Sequence, residues 1–201
     1  DRGKQNDAQD TYLPNGKIHR LNLDGSVPKD NPFTDKKGNL SSICCIGNRN
    51  PQGLAFDSNG VLWELEHGPK GGDELNIIEK GKNYGWPKIT YGINYIGTTI
   101  TKDKALPGLE QPLYYWVPSI APSSFEYIWS ERYDGWSESL LVGSLKYMYL
   151  ERLELKDGKV TYREKVAKNV GRVRDVKLSP EGLIHIAVEN KGIFRLNPKN
   201  E

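Results

Sequence analysis

Long hydrophobic runs are missing from this 201-residue sequence. No apolar stretch is long enough to cross a membrane as a helix, and no basic, apolar and small-residue signal segment stands at the N-terminus. The first residue is Asp1 rather than Met, so the chain is expected to be processed, trimmed or a fragment. Excess charge of one sign is missing too. The 28 basic and 26 acidic residues leave a formal charge of +2, and no five like charges run together. Nucleic-acid binding through a basic face and tail-type electrostatic partners therefore lack support. Cysteine is limited to the neighbours Cys44 and Cys45. Adjacent strand side chains point to opposite faces, so these are expected as free thiols with one buried, and two are too few for structural zinc. The histidines His19, His67 and His185 stand at no metal-ligand spacing, and no nucleophile elbow, P-loop or dinucleotide fingerprint occurs.

Helix-period stripes are hard to find. Instead, glycine (21), proline (12) and aromatics (10%) are plentiful, and short apolar runs are bounded by Asp-Gly, Asn-Gly and Glu-Gly, the pattern of an all-β meander. Two phrases repeat. One is Ile18-His19-Arg20-Leu21-Asn22-Leu23-Asp24-Gly25, with copies at Glu74 to Gly81, Leu150 to Gly158 and Ile193 to Pro198. Its marker leucines, Leu21, Leu75, Leu153 and Leu196, are 54, 78 and 43 residues apart. The other is Gly53-Leu54-Ala55-Phe56-Asp57-Ser58-Asn59-Gly60-Val61-Leu62-Trp63, recurring at Arg174 to His185. Together they make four strands per unit, at the spacing of propeller blades. The predicted fold is an all-β propeller with about four blades, one domain over residues 1–201. The long middle gap, Tyr84 to Pro122, is expected to be a loop insertion before the following blade.

Some segments carry chemistry. Gly47-Asn48-Arg49-Asn50-Pro51-Gln52-Gly53 is either a solvated turn or a polar site. Glu66-His67-Gly68-Pro69-Lys70-Gly71-Gly72-Asp73-Glu74 has three glycines, a proline and three carboxylates. Such a loop can aim carbonyl and carboxylate oxygens at one point, as a hard cation requires, although it lacks EF-hand spacing. In Asn83-Tyr84-Gly85-Trp86-Pro87 the aromatics read as plugs of a blade junction. Arg172 and Arg174 point the same way if they lie in a strand. They are either solvated or, with Arg49 and Lys146, a tetracationic pocket for a small polyanion, and spacing does not decide between these.

These segments resemble the soluble pyrroloquinoline quinone-dependent glucose/sorbosone dehydrogenases, nearest their bacterial aldose sugar dehydrogenase branch. So do Asp30-Asn31-Pro32-Phe33, Ala121-Pro122-Ser123-Ser124, Ser144-Leu145-Lys146 and Arg172-Val173-Arg174-Asp175-Val176. The resemblance implies a six-bladed propeller, of which this chain is a C-terminal part, and calcium-dependent oxidation of an aldose at its anomeric carbon to the lactone. It implies Arg49, Asn50 and Gln52 beside quinone and substrate, with Arg49 stabilising the developing oxyanion. Lys146, Arg172 and Arg174 would pair with cofactor oxygens, and Ala121 would pack near its ring. Gly68 and Pro69 carbonyls would ligate the Ca²⁺ bridging to the cofactor, acting as Lewis acid. Glu74 and the Tyr84 carbonyl would hold a second Ca²⁺. Asn6 would fill a cofactor-contacting amide position.

The family's base histidine lies upstream of the segment that Asp1-Arg2-Gly3 resembles, and none of the three histidines matches its motif, so the chain alone is expected to be inactive. Histidines common in the family are replaced by Pro14 and Asn48. The resemblance also implies a periplasmic or secreted location, a sugar substrate and an external electron acceptor, while a homodimer is left open. The alternative is a non-catalytic, calcium-binding propeller serving as an interaction module.

Overall fold

The computed structural model describes residues 3–34 and 40–199, so Asp1 and Arg2 lie outside the described residues. A two-stranded sheet pairs β1 (Lys17–His19) with β2 (Ile43–Ile46). A four-stranded sheet follows, in the order β3 (Pro51–Phe56), β4 (Leu62–Glu66), β5 (Asp73–Ile77) and β6 (Tyr114–Trp116). The next contains β7 (Pro122–Ile128), β8 (Ser139–Ser144), β9 (Leu150–Lys156) and β10 (Lys159–Val166), and the last contains β11 (Val173–Leu178), β12 (Ile184–Val188) and β13 (Gly192–Arg195). Every strand pairs antiparallel with its sequence neighbour inside its sheet. The four sheets are successive blades of a β-propeller.

The second repeated phrase forms the inner hairpin of a blade, and its two copies close the same way. Asp57 Oδ1 accepts the backbone N–H of Asn59 (2.8 Å) and Val61 (3.0 Å), while Ser179 Oγ accepts that of Leu183 (3.3 Å). In both turns the last residue needs positive φ, +77° at Gly60 and +79° at Gly182, which glycine adopts without steric cost. The first phrase supplies the third strand of the last three sheets, β5, β9 and β13, and β1 of the first. Its markers Leu75 and Leu153 are fully buried because a blade covers each side, whereas Leu21 is 53% exposed.

The blades join through apolar clusters. Trp63, Leu65, Leu75 and Trp116 meet Phe125, Leu140, Val142 and Leu153 between the second and third blades. Ile128, Leu141, Leu150, Val173, Val176 and Ile186 fill the junction between the third and fourth. Truncating a fully enclosed side chain such as Phe125 to Ala costs about 3–5 kcal/mol. β3 and β11 both pack on β7, so these three are the inner strands.

Three expectations need correction. The excursion after β5 does not precede the following blade: Leu75 pairs with Tyr114, so it lies within the second blade, between the third and fourth strands. Its hydrophobic content supports the blade junction, since Tyr84 and Trp86 are 4% and 5% exposed and Tyr84 packs with Ile18, Cys45 and Ile78. Not every unit has four strands, because the first and last sheets have two and three among the described residues. Both cysteines, not one, are buried as free thiols, because β2 is covered on both faces.

Candidate functional site

A single arc of hydrogen bonds runs across three blades at the end where β3, β7 and β11 begin. Arg49 Nη1 donates to the carbonyls of His67 (2.8 Å) and Gly68 (2.9 Å). Gly68 N–H donates to Asp73 Oδ1 (3.0 Å), and Asp73 Oδ2 accepts the N–H of Ile120 (2.8 Å) and Ala121 (3.1 Å). Leu145 N–H donates to the Ala121 carbonyl (3.0 Å), and Arg172 Nη1 to the Leu145 carbonyl (3.4 Å). Arg172 Nε and Arg174 Nη2 then converge on Glu189 Oε2, at 2.5 and 3.1 Å. Lys146 N–H donates to the Ile120 carbonyl (3.2 Å), so Arg49, Gly68, Asp73, Ala121, Lys146, Arg172 and Arg174 are gathered from three blades.

The cations of this arc differ in access. Lys146 is exposed, with Nζ 5.0 Å from the Tyr147 ring centre. The Arg172 and Arg174 side chains are 48% and 50% exposed. Glu189 faces both guanidinium groups, and Arg172 then Arg174 hold its carboxyl below the usual glutamate range. Arg49 is different: it is 7% exposed and lies 5.2 Å from the Trp86 ring centre, with Nη1 on two carbonyls. Lys146, Arg172 and Arg174 are thus open cations, whereas Arg49 is buried.

The loop between β4 and β5 is tightly closed. A Cβ added at Gly68 would sit 2.2 Å from the Gly72 carbonyl oxygen, so only glycine fits there. Asp73, wholly buried, anchors the loop by accepting from Gly68, Ser119, Ile120 and Ala121. Burial pushes its pKa up, and these donors oppose the shift. Its grip also holds Ala121 at φ +49°, a left-handed conformation costing a non-glycine residue about 1–2 kcal/mol.

Behind the loop lies an acid ladder, of which sequence reasoning singled out Glu66 and Glu74 but not Glu64. Register pairs Glu66 with Glu74 and Glu64 with Asn76, so all four side chains share the face of the second blade turned toward the first. Glu66 Oε2 accepts the N–H of Arg49 (2.5 Å) and Asn50 (3.0 Å). Glu64 and Asn76 are fully buried. Asn76 Nδ2 donates to Glu64 Oε2 (3.0 Å), while Glu64 Oε1 and Asn76 Oδ1 have no hydrogen-bond partner. Burial pushes Glu64, Glu66 and Glu74 all upward, and neighbouring acids add to it at Glu64 and Glu74. A cavity of about 10 Å³ borders Glu66, Gly68, Glu74 and Tyr84. Among the described residues no three His, Cys, Asp or Glu side chains converge on a metal-sized point, so a cation here would need carbonyl oxygens as well.

Other expected residues sit apart or at the rim. Gln52 is exposed and donates to Asn50 Oδ1 (3.1 Å), and Asn6 is exposed in the 3₁₀ turn Gln5–Gln9. Asn48 is fully buried, with Oδ1 accepting from Cys45 Sγ (3.5 Å) and Nδ2 lacking a partner. The histidine rings are engaged: His19 with Ser42 and the Pro14 carbonyl, His67 with the Pro122 carbonyl, and His185 with the Leu183 carbonyl. Burial lowers the His67 pKa, which the Asp73 carboxylate opposes. Glu189 was not foreseen; the available signal was an acid at the end of β12, the strand paired with that of the arginines.

Comparison with known proteins follows from this geometry. The family model described as Glucose / Sorbosone dehydrogenase matches residues 1–195. The chain is 39% identical over 199 residues to the aldose sugar dehydrogenase YliI of Escherichia coli K12, covering 96% of this chain and 54% of that protein. A crystal structure of glucose dehydrogenase superposes with a TM-score of 0.93 at 40% identity, covering 97% of this chain and 58% of that one. The PQQ-bound form of the Streptomyces coelicolor aldose sugar dehydrogenase superposes with a TM-score of 0.72 at 30% identity, covering 94% and 50%. The chain spans about half the length of the curated relatives it matches.

Proposed function

The chain belongs to the glucose/sorbosone dehydrogenase family, and from that premise we propose that its 201 residues form one partial-propeller domain that grips pyrroloquinoline quinone and Ca²⁺ for the oxidation of aldoses to lactones. The observation that carries this reading is the arc of hydrogen bonds setting Lys146, Arg172 and Arg174 at one end, beside the closed loop of Gly68 and Asp73. The donor set fits a ligand with three carboxylates. Two half-exposed guanidinium groups and an exposed ammonium are offered together, and Glu189 holds the arginines while leaving them open to solvent.

The calcium reading rests on different oxygens. Gly68 and Pro69 carbonyls would hold the ion next to the cofactor, and the Gly68 oxygen keeps a lone pair beyond its bond to Arg49. Glu74 and the Tyr84 carbonyl would hold a second ion, and the unpartnered Glu64 Oε1 and Asn76 Oδ1 nearby are the kind of buried acceptors that a cation relieves. When bound, the quinone supplies the two-electron oxidising capacity.

This chain's residues do the rest. Ala121, held by Asp73, presents a small flat surface for the cofactor ring. Asn50 and Gln52 offer amides at the start of β3. Arg49, buried in a low-dielectric setting, places positive charge beneath the sugar oxygen that loses its proton. The proton acceptor is none of His19, His67 or His185, by their motifs and their engaged rings. A sugar, an external electron acceptor and a periplasmic or secreted setting complete the reading. No described helix is long and apolar enough to cross a membrane.

The direct test is dye-linked aldose oxidation by the protein carrying quinone and Ca²⁺. Dye reduction with lactone formation is expected from a protein of the relatives' length that contains these residues, and none from these 201 residues alone. Absence of turnover with every aldose tried removes the enzyme reading.

A further inference from the structure

Outside the arc lies a larger feature, a groove of about 660 Å³ between the second and third blades. Its volume is that of a small-ligand site. One wall is β6 and its flanks, the other is the turn after β8 together with β9 and β10, so both walls belong to the described residues. We propose that this groove binds an anionic saccharide chain, its sugar rings lying on tyrosine faces and its acidic groups meeting Arg163 and Lys165.

The aromatic surface is rigid and open. On the β6 wall the ring is that of half-buried Tyr114, set edge-on to Trp116 at 4.9 Å and 79°, because Tyr115 pairs with Glu74 and turns to the opposite face, where it stacks on Tyr91. Tyr147 is 40% exposed and lies parallel to Tyr149, at 6.0 Å and 3°. Flat, fixed rings suit the C–H faces of pyranoses, and few rotamers remain to be frozen on binding. The cations are held in place as well. The Arg163 guanidinium carbon stands 4.9 Å from the Tyr114 ring centre, and Lys165 Nζ stands 5.0 Å from that of Tyr149.

The floor is built rather than incidental. Glu151 is 1% exposed, its Oε2 accepts Trp116 Nε1–H (2.8 Å) and its Oε1 faces Arg163 Nε (3.4 Å). That single acid stands against two cations, and burial pushes its pKa up, with the Trp116 bond and Lys165 opposing. The groove therefore carries positive charge, which favours uronate or similarly acidic sugars over neutral ones.

At its inner end the groove reaches Pro118 and Ile120, the residues just before Ala121. A saccharide lying in it would point one terminus toward the arc. Assigning that terminus as the oxidised aldose rests on the proposed dehydrogenase reading; the binding claim does not.

Trp116 gives a local readout. The test titrates trigalacturonate into the ¹⁵N-labelled protein and follows the Trp116 indole resonance, assigned with Trp116→Phe, with maltotriose and citrate as controls. Trigalacturonate is expected to shift that resonance and to bind at least tenfold more tightly than either control. Lys165→Gln and Tyr147→Ala, both exposed changes, should each weaken it several-fold, and Arg163→Ala at least tenfold. No shift, equal binding of maltotriose, equal binding of citrate, or unchanged affinity in both Lys165→Gln and Tyr147→Ala overturns the proposal. Quinone affinity measured on the unsubstituted protein separates the two readings: no saccharide binding with quinone binding intact counts only against the saccharide site, and the reverse only against the dehydrogenase.

Discussion

In the second blade the acids of the arc and its ladder face inward, and in the third and fourth the cations of the arc face out. Glu64, Glu66 and Asp73 are at most 3% exposed and bonded to backbone N–H groups or an amide, whereas Lys146, Arg172 and Arg174 stand in solvent. The two regions share one end of the propeller but differ in how easily they change partners. A buried carboxylate that loses its donors costs several kcal/mol, so the acids are fixed parts of the architecture. Exposed ion pairs are worth about 0–1 kcal/mol, so the arginines can exchange Glu189 or water for a ligand at little cost. One side is a mould and the other a grip.

Breaking the mould should have the largest effect. Asp73→Ala takes the carboxylate from four donors, of which the Ala121 N–H keeps Ser119 Oγ, and is expected to lower unfolding free energy by about 3–5 kcal/mol in urea titrations. A loss under about 1 kcal/mol would mean Asp73 does not tie the blades.

Breaking the grip should leave the fold alone. Arg172→Ala with Arg174→Ala is expected to weaken quinone binding about 100-fold or more, at about 1.5–3 kcal/mol per charged hydrogen bond, with the urea midpoint little changed. Unchanged affinity removes the pair from the site.

A third test extends the comparison to Glu151, an inward acid of the third blade. Burial raises its folded pKa above the ordinary 4.5. The folded state thus holds this proton longer than the unfolded chain. Its stabilising contribution is full below pH 4.5 and is lost as pH rises through the folded value. The stability of the wild type relative to Glu151→Gln should therefore fall as pH rises from 4.5, and a rising difference contradicts the sign.

The smallest effect belongs to Glu189→Gln. Its pairs are with half-exposed arginines, so stability should change by no more than about 0.5 kcal/mol and quinone affinity only a few-fold. A collapse of binding would make Glu189 part of the mould.

Much of this was legible before any coordinates. The repeated phrases give the blades because Asp57 and Ser179 must close similar turns with Gly60 and Gly182. The strand spacing of Arg172 and Arg174 does place them together, on one carboxylate. What stayed hidden depends on contacts far apart in sequence. Arg49 reads as an open cation until the His67 and Gly68 carbonyls close over it. Glu64 and Glu66 alternate with Trp63 and Leu65 as solvent-facing acids would, but a blade covers that face too. Tyr114–Trp116 looks like part of a loop because its strand partners, Asp73 to Leu75, lie across the long excursion of residues 78–113.

The central claim is that mould and grip act on one ligand through calcium. Calorimetric titration of pyrroloquinoline quinone into calcium-stripped protein, repeated with Ca²⁺ restored, tests it directly. One equivalent should bind tightly with Ca²⁺ and at least tenfold more weakly without it. Equal binding in both samples, or binding in neither, contradicts the account.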